Sequence, residues 1–337
     1  MRTRSSTQVT VALVAVVAAC SHTEPFRPGQ GGANEPLFPG SPAQLTFNPG
    51  EDLVPAWLPD GSAFIYTAER GDRADRDRCF ATMPARGGSI TRYACRTQVA
   101  DDSINVFDEA AIRGDSIVYV RASTERFLQG LGPDRLELVI APLSDLNAGR
   151  LIQTLGFTTP WGTTYDAVSH VTRLDANRIA FIGERVTYPR GCSSCVPDTV
   201  RTGLEIVIAD ISGATPAYTR MPDGDNPASL TAAANGDTIY FSLQSDSHVL
   251  RRTLSTAQTD TLLDLIAGPV IDLTVSSGRV SAVAGGSLYL VDGAAVTELG
   301  DPSWLFERPV LSPDGTRLIV TARRTGPTAD LWLFELP

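Results

Sequence analysis

A repeat constrains this chain more than any other feature. Val54-Pro55-Ala56-Trp57-Leu58-Pro59-Asp60-Gly61 near the start returns as Arg308-Pro309-Val310-Leu311-Ser312-Pro313-Asp314-Gly315 near the end. Proline presets one turn position and glycine tolerates positive φ, so Pro-Asp-Gly predicts a tight reversal between two strands. Apolar residues follow three and five positions beyond each glycine, Phe64 and Tyr66 in one copy and Leu318 and Val320 in the other. The same offsets recur at Ile117 and Tyr119 after Gly114, and at Ile239 and Phe241 after Gly236. Ala176 fills the glycine slot ahead of Ile179 and Phe181, and Ser277 fills it ahead of Val280 and Ala282. A further apolar strand follows each hairpin. Six copies of roughly 49 residues occupy residues 43–337, which is the blade length of a β-propeller.

The chain ends within the third strand of its last repeat, and Ala43-Gln44-Leu45-Thr46-Phe47 is a short strand with no partner of its own. Pairing the two would close the circle and remove two exposed edges. The expectation is therefore an all-β, six-bladed β-propeller closed by an N-terminal strand completing the last blade. A β-sandwich with irregular hairpins is the competing fold.

Pro55, Trp57, Pro59-Asp60-Gly61 and Phe64-Ile65-Tyr66-Thr67, with Pro309, Ser312-Pro313-Asp314-Gly315 and Leu318, resemble the repeat of the TolB-like six-bladed propellers. The resemblance covers residues 43–337 and implies a fold rather than an activity, because these residues build blades. TolB itself carries a separate α/β domain before its propeller, and the peptidases that share the propeller carry a hydrolase domain. Neither is expected here.

The first nineteen residues predict a signal peptide. Arg2 and Arg4 precede an apolar run, Val9 to Ala19, which is too short to span a bilayer. Val17-Ala18-Ala19-Cys20 is similar to the lipobox of bacterial lipoproteins, so Cys20 is the expected lipidation site. Membrane attachment would then come from the N-terminal lipid, with the protein facing the periplasm or the cell surface. Residues 20–42 are rich in Pro and Gly and read as a flexible tether, leaving 43–337 for the propeller.

An oxidising address makes the four remaining cysteines disulfide candidates. Cys79 and Cys95 lie about a hairpin apart, within bonding reach on neighbouring strands. Cys192-Ser193-Ser194-Cys195 sits in a long insertion and reads as a loop disulfide, with a redox pair or a metal site as alternatives.

Charge narrows the function. All 28 basic residues are arginine, against 38 acidic ones, and the net charge of −10 argues against a nucleic-acid partner. No Gly-x-Ser-x-Gly elbow, phosphate loop or His-Glu-x-x-His motif occurs, so the sequence nominates no catalytic residue and no metal ligand. His170 lies in the first strand of the third repeat and could face the central channel, where a lone histidine is commonly a satisfied polar group. Asp52, Asp108, Glu109, Asp166, Asp225 and Glu307, with Glu51 and Asp223, fall shortly before the first strands of repeats. They predict a negative channel rim for a basic peptide or a cation, with calcium the one ion considered. Ordinary turn chemistry explains the same acids. The leading expectation is a lipid-anchored envelope propeller acting as a protein- or peptide-binding or scaffold module. The alternatives are an envelope propeller enzyme, a hydrolase or lyase on glycans or peptides, and a purely structural subunit.

Overall fold

The computed structural model describes residues 42–47, 50–69, 78–95, 103–125, 135–155, 162–188, 200–301, 303–324 and 328–337. The signal segment with Cys20, the tether up to residue 41, and the Cys192–Cys195 pair lie outside them. The described residues form strands and no helix, and therefore no helix long and apolar enough to cross a membrane.

After β1 (Ala43–Gln44) the strands come in antiparallel meanders. The first is β2 (Asp52–Trp57), β3 (Ala63–Glu69), β4 (Arg78–Pro84) and β5 (Arg92–Ala94). The second is β6 (Ser103–Arg113), β7 (Ser116–Glu125), β8 (Arg135–Pro142) and β9 (Arg150–Leu155). β10 (Gly162–Arg173), β11 (Arg178–Tyr188), β12 (Val200–Asp210) and β13 (Ala217–Asp225) make the third. The fourth has β14 (Pro227–Ala232), β15 (Thr238–Leu243), β16 (His248–Thr253) and β17 (Gln258–Asp264). β18 (Val270–Ser276), β19 (Arg279–Ala284), β20 (Ser287–Asp292) and β21 (Ala295–Leu299) follow. The last meander has β22 (Leu305–Leu311), β23 (Arg317–Arg323) and β24 (Asp330–Glu335), with β1 as its fourth strand. The first two meanders share one hydrogen-bonded sheet through a parallel bridge at Arg78 and Val106.

The first strand of each meander packs on the first strand of the next, and β22 packs back on β2. That closed circle is a propeller and not a sandwich. Apolar residues three and five beyond the turn slots lie in the second strands and are buried throughout, from Phe64 and Tyr66 to Leu318 and Val320. They fill the layers between neighbouring meanders: Leu318 and Val320 pack with Val283 and Leu288, and Phe64 and Tyr66 pack with Ile319.

Closure follows the expected pairing. Ala43 pairs with Leu333 and Gln44 with Trp332, and the Leu45 amide donates to the Leu331 carbonyl at 2.8 Å. Thr46 Oγ1 accepts from the Leu331 amide at 2.9 Å, while Gln44 Nε2 donates to Asp330 Oδ2 at 3.0 Å. The repeated turns add to this joint. Trp57 Nε1 donates to the Val310 carbonyl at 3.0 Å, and Arg317 lies 4.9 Å from the Trp57 ring centroid and donates to the Gly61 carbonyl. Residues that build a single blade in sequence terms therefore also lock the first blade to the last.

Cys79 and Cys95 form a disulfide with Cα atoms 4.7 Å apart, tying β4 to the end of β5.

Candidate functional site in the axial cavity

The inner strands carry the site because each of them is bulged. A bulge inserts an extra residue, breaks the strict alternation and re-aims a side chain. In β2, β6, β10 and β22 the register shifts between Leu53 and Ala56, Asp108 and Ala111, Ser169 and Thr172, and Glu307 and Val310. Each bulge opens on a non-glycine residue in the left-handed region: Val54 (φ 47°), Glu109 (φ 55°), His170 (φ 50°) and Arg308 (φ 50°). Such a backbone is costly for these side chains and is concentrated where a fold holds a functional group. β14 and β18 bulge one step earlier, so Ser229 and Asp272 complete the same level.

Three of these residues, with Asp272, form one ionic network. His170 Nε2 lies 2.8 Å from Asp272 Oδ1. The Arg308 backbone amide donates to Asp272 Oδ2 at 3.1 Å. The Arg308 guanidinium embraces the Glu109 carboxylate through both terminal nitrogens, and Glu109 Oε2 also accepts from the Val171 amide at 3.3 Å. Burial alone would raise the Asp272 carboxyl, but the His170 hydrogen bond and the Arg308 charge outweigh it and hold the carboxyl below its ordinary range. An ionised Asp272 selects the imidazole tautomer with its proton on Nε2 and leaves Nδ1 as an acceptor. The polar atom beside Nδ1 is Ser169 Oγ, at 3.3 Å.

The network floors a cavity of about 450 Å³ along the axis. Above the floor runs a ring of one residue per inner strand, Ala56, Ala111, Thr172, Thr231, Thr274 and Val310. The lining then reaches exposed turn residues, Pro59, Gly114, Ala234 and Pro313, so the mouth opens on the hairpin face. Arg113 and Arg173 stand there. A second pocket, of about 460 Å³, lies on the far side of the floor and is lined by Ser169, Leu204, Pro227, Gln244, Ser245, Pro269 and Ile271, among others.

The acids anticipated as a rim do not converge on this cavity as a group; only Glu109 lines it. Asp108 is half-buried directly behind it, accepting from the Glu109 amide at 2.9 Å and from Thr67 Oγ1 at 3.4 Å. Its carboxyl is pushed up to about 6, by burial first and by the Glu109 charge second. Asp52 is buried in β2, and Asp166 lies in β10 opposite Glu184. Glu51 and Glu307 do meet, but through Arg323, which reaches them at 2.9 and 2.6 Å, and Arg78 also pairs with Glu51. Asp225 ends β13, an outer strand, and pairs with Arg220. Asp223, in the same strand, pairs with Arg252.

Calcium does not fit this arrangement. Among the described residues no group of three or more His, Cys, Asp or Glu side chains gathers to hold an ion. The two carboxylates of the floor are already engaged, Glu109 by the Arg308 guanidinium and Asp272 by His170 and the Arg308 amide.

Sequence reasoning reached His170 but not its partners. Asp272 lies in the most degenerate repeat, and Arg308 was legible only as the residue that replaces Val54 ahead of the repeated proline.

No protein-family model matches the chain, and no curated protein matches it. Among solved structures it is similar to a gluconolactonase from Xanthomonas campestris, with 14% identity, 88% of this chain and 90% of that chain covered, and a TM-score of 0.58. It is also similar to a calcium-binding protein, regucalcin, from Agrobacterium tumefaciens, with 14% identity, 89% and 95% covered, and a TM-score of 0.53. At that identity the likeness is one of fold, a β-propeller.

Proposed function

We propose that the chain is a cell-envelope propeller enzyme, a hydrolase acting on an ester or amide bond in a glycan- or peptide-derived substrate. One observation carries this reading: Asp272, His170 and Ser169 are linked in series at the floor of the axis, with Ser169 opening into a pocket of about 460 Å³. In this reading His170 Nδ1 takes the proton from the Ser169 hydroxyl as its oxygen attacks the carbonyl carbon. The imidazolium that forms is stabilised by Asp272, and the same proton then passes to the leaving oxygen or nitrogen. Water repeats the sequence on the acyl intermediate and restores the serine. Arg308 is a positioning residue: its amide fixes Asp272, and its guanidinium neutralises Glu109. Solved structures of the same fold named as a gluconolactonase support an enzyme over a passive scaffold.

Around that site we place a six-bladed propeller of the TolB-like repeat, held to a membrane by lipid on Cys20 and facing the periplasm or the cell surface. The binding module expected from the acids ahead of the first strands is the second reading. Of those acids, Glu51, Asp223, Asp225 and Glu307 are already paired with arginines, which does not favour it.

The test is turnover of chromogenic esters, lactones and peptide anilides by the mature protein. Activity should fall about 10²- to 10⁴-fold in His170→Asn, and at least as far in Ser169→Ala. Retained activity in Ser169→Ala with loss in His170→Asn would make water the nucleophile. No turnover of any substrate by the wild type would return the chain to the binding reading.

A further inference from the structure

The hairpin-face mouth of the axial cavity poses a separate question. Arg113 and Arg173 lie side by side there, with Arg113 Nη1 donating to the Arg173 carbonyl at 3.5 Å. In a chain with 38 acids against 28 arginines, arginines commonly find a carboxylate, and most of the other described ones do. Among the described residues neither of these two has a carboxylate within ion-pair distance. Asp175, two residues beyond Arg173, pairs with Arg178 at 2.6 Å, and its charge offsets only part of the penalty on Arg173.

Arg173 is fixed by its neighbours. It donates to the Asp175 and Ala176 carbonyls and to Ser116 Oγ, and it is buried. Arg113 makes two bonds, to the Arg173 and Ala234 carbonyls, which leaves three of its five N–H groups unassigned. Two like charges held together at the edge of a low-dielectric cavity repel each other. The Arg173 guanidinium is destabilised by burial first and by Arg113 second. An arrangement that costs free energy in the empty state is relieved by an anion.

The walls narrow the class of anion. Three threonines at one level, Thr172, Thr231 and Thr274, face the axis, and the floor presents the Arg308–Glu109 pair. Threonine hydroxyls beside an ion pair suit a ligand with several hydroxyls. A volume of about 450 Å³ suits a small molecule and excludes a folded partner.

We propose that this cavity binds a small hydroxylated anion, with its phosphate or carboxylate on Arg113 and Arg173 and its hydroxyls on the threonine ring. The site is on the other side of the floor from Ser169, so it stands whether or not the protein is a hydrolase.

Calorimetry on the mature protein with glucose 6-phosphate, gluconate, inorganic phosphate and glucose tests it. Glucose 6-phosphate or gluconate should bind, inorganic phosphate should bind more weakly, and glucose should not bind measurably. Affinity should fall at least tenfold in Arg113→Gln and should weaken as salt is raised. Thr231→Val keeps the charge pair and should weaken glucose 6-phosphate but not inorganic phosphate. Binding unchanged in Arg113→Gln, or no binding of either hydroxylated anion to the wild type, would overturn the proposal.

Discussion

At the scale of single residues, the floor network concentrates charge where water is scarce, and its members are worth more together than apart. Removing one partner of a buried pair leaves an uncompensated charge, so Arg308→Met should destabilise by about 3–5 kcal/mol, whereas Glu109→Met with Arg308→Met should recover most of that. Denaturant titration of the two variants reads the difference. Asp108 behaves differently, because its folded pKa of about 6 lies above its ordinary value of 3.8. A raised carboxyl contributes stability that is fully present below pH 3.8 and is lost as pH rises through about 6. Asp108→Asn mimics the protonated form, so thermal melts should show a higher Tm at pH 8, by about 2–4 °C, and no gain near pH 3.5. His170 could be singled out in sequence because histidine is scarce; Asp272 could not, because it lies 102 residues away. Only the circular packing of the inner strands brings the two together.

At the scale of strands and turns, the repeat was readable because its chemistry is local. Asp60 Oδ1 accepts from the Ser62 amide at 3.0 Å and Asp314 Oδ1 from the Thr316 amide at 3.1 Å, the bonds that Pro-Asp-Gly predicts. Glycine is required at Gly236, where φ is +70° and an added Cβ would stand 1.9 Å from the Leu174 carbonyl oxygen. Gly278 is also left-handed but has open space around it. Gly278→Ala should therefore cost about 1–2 kcal/mol and Gly236→Ala distinctly more, measured by denaturant midpoint. The Cys79–Cys95 bond belongs to this scale too. Replacing both cysteines with alanine should cost about 3 kcal/mol on the chain-entropy model, and reduction should lower the wild type to the same stability. What the turns did not reveal is the floor ring. Val54 lies seven residues before Gly61, but Glu109 only five before Gly114, because the bulged hairpins differ in length. No fixed offset from the glycine finds the ring.

At the scale of the whole molecule, one short strand holds the circle shut. Leu45 is buried between the first and last meanders beside Trp57 and Leu331, so Leu45→Ala should cost about 2–5 kcal/mol, an effect out of proportion to so short a strand. Asp330 sits in the same joint with a carboxyl pushed up to about 6, by burial first, against the lowering effect of Thr46 and Gln44. Its contribution to closure is thus greatest below pH 3.8 and declines as pH rises through about 6. Closure was legible from an orphan strand at one end and a missing strand at the other. The function was not, because it depends on which residues the circle sets face to face. The His170–Asp272 bond exists only if the third and fifth meanders look at each other across one axis. The chain has three histidines, so ¹⁵N-histidine NMR gives three imidazoles, and His170→Asn assigns one of them. The account predicts a downfield, slowly exchanging Nε2–H on His170 that disappears in Asp272→Asn. An imidazole in free tautomer exchange, unaffected by that substitution, would contradict it.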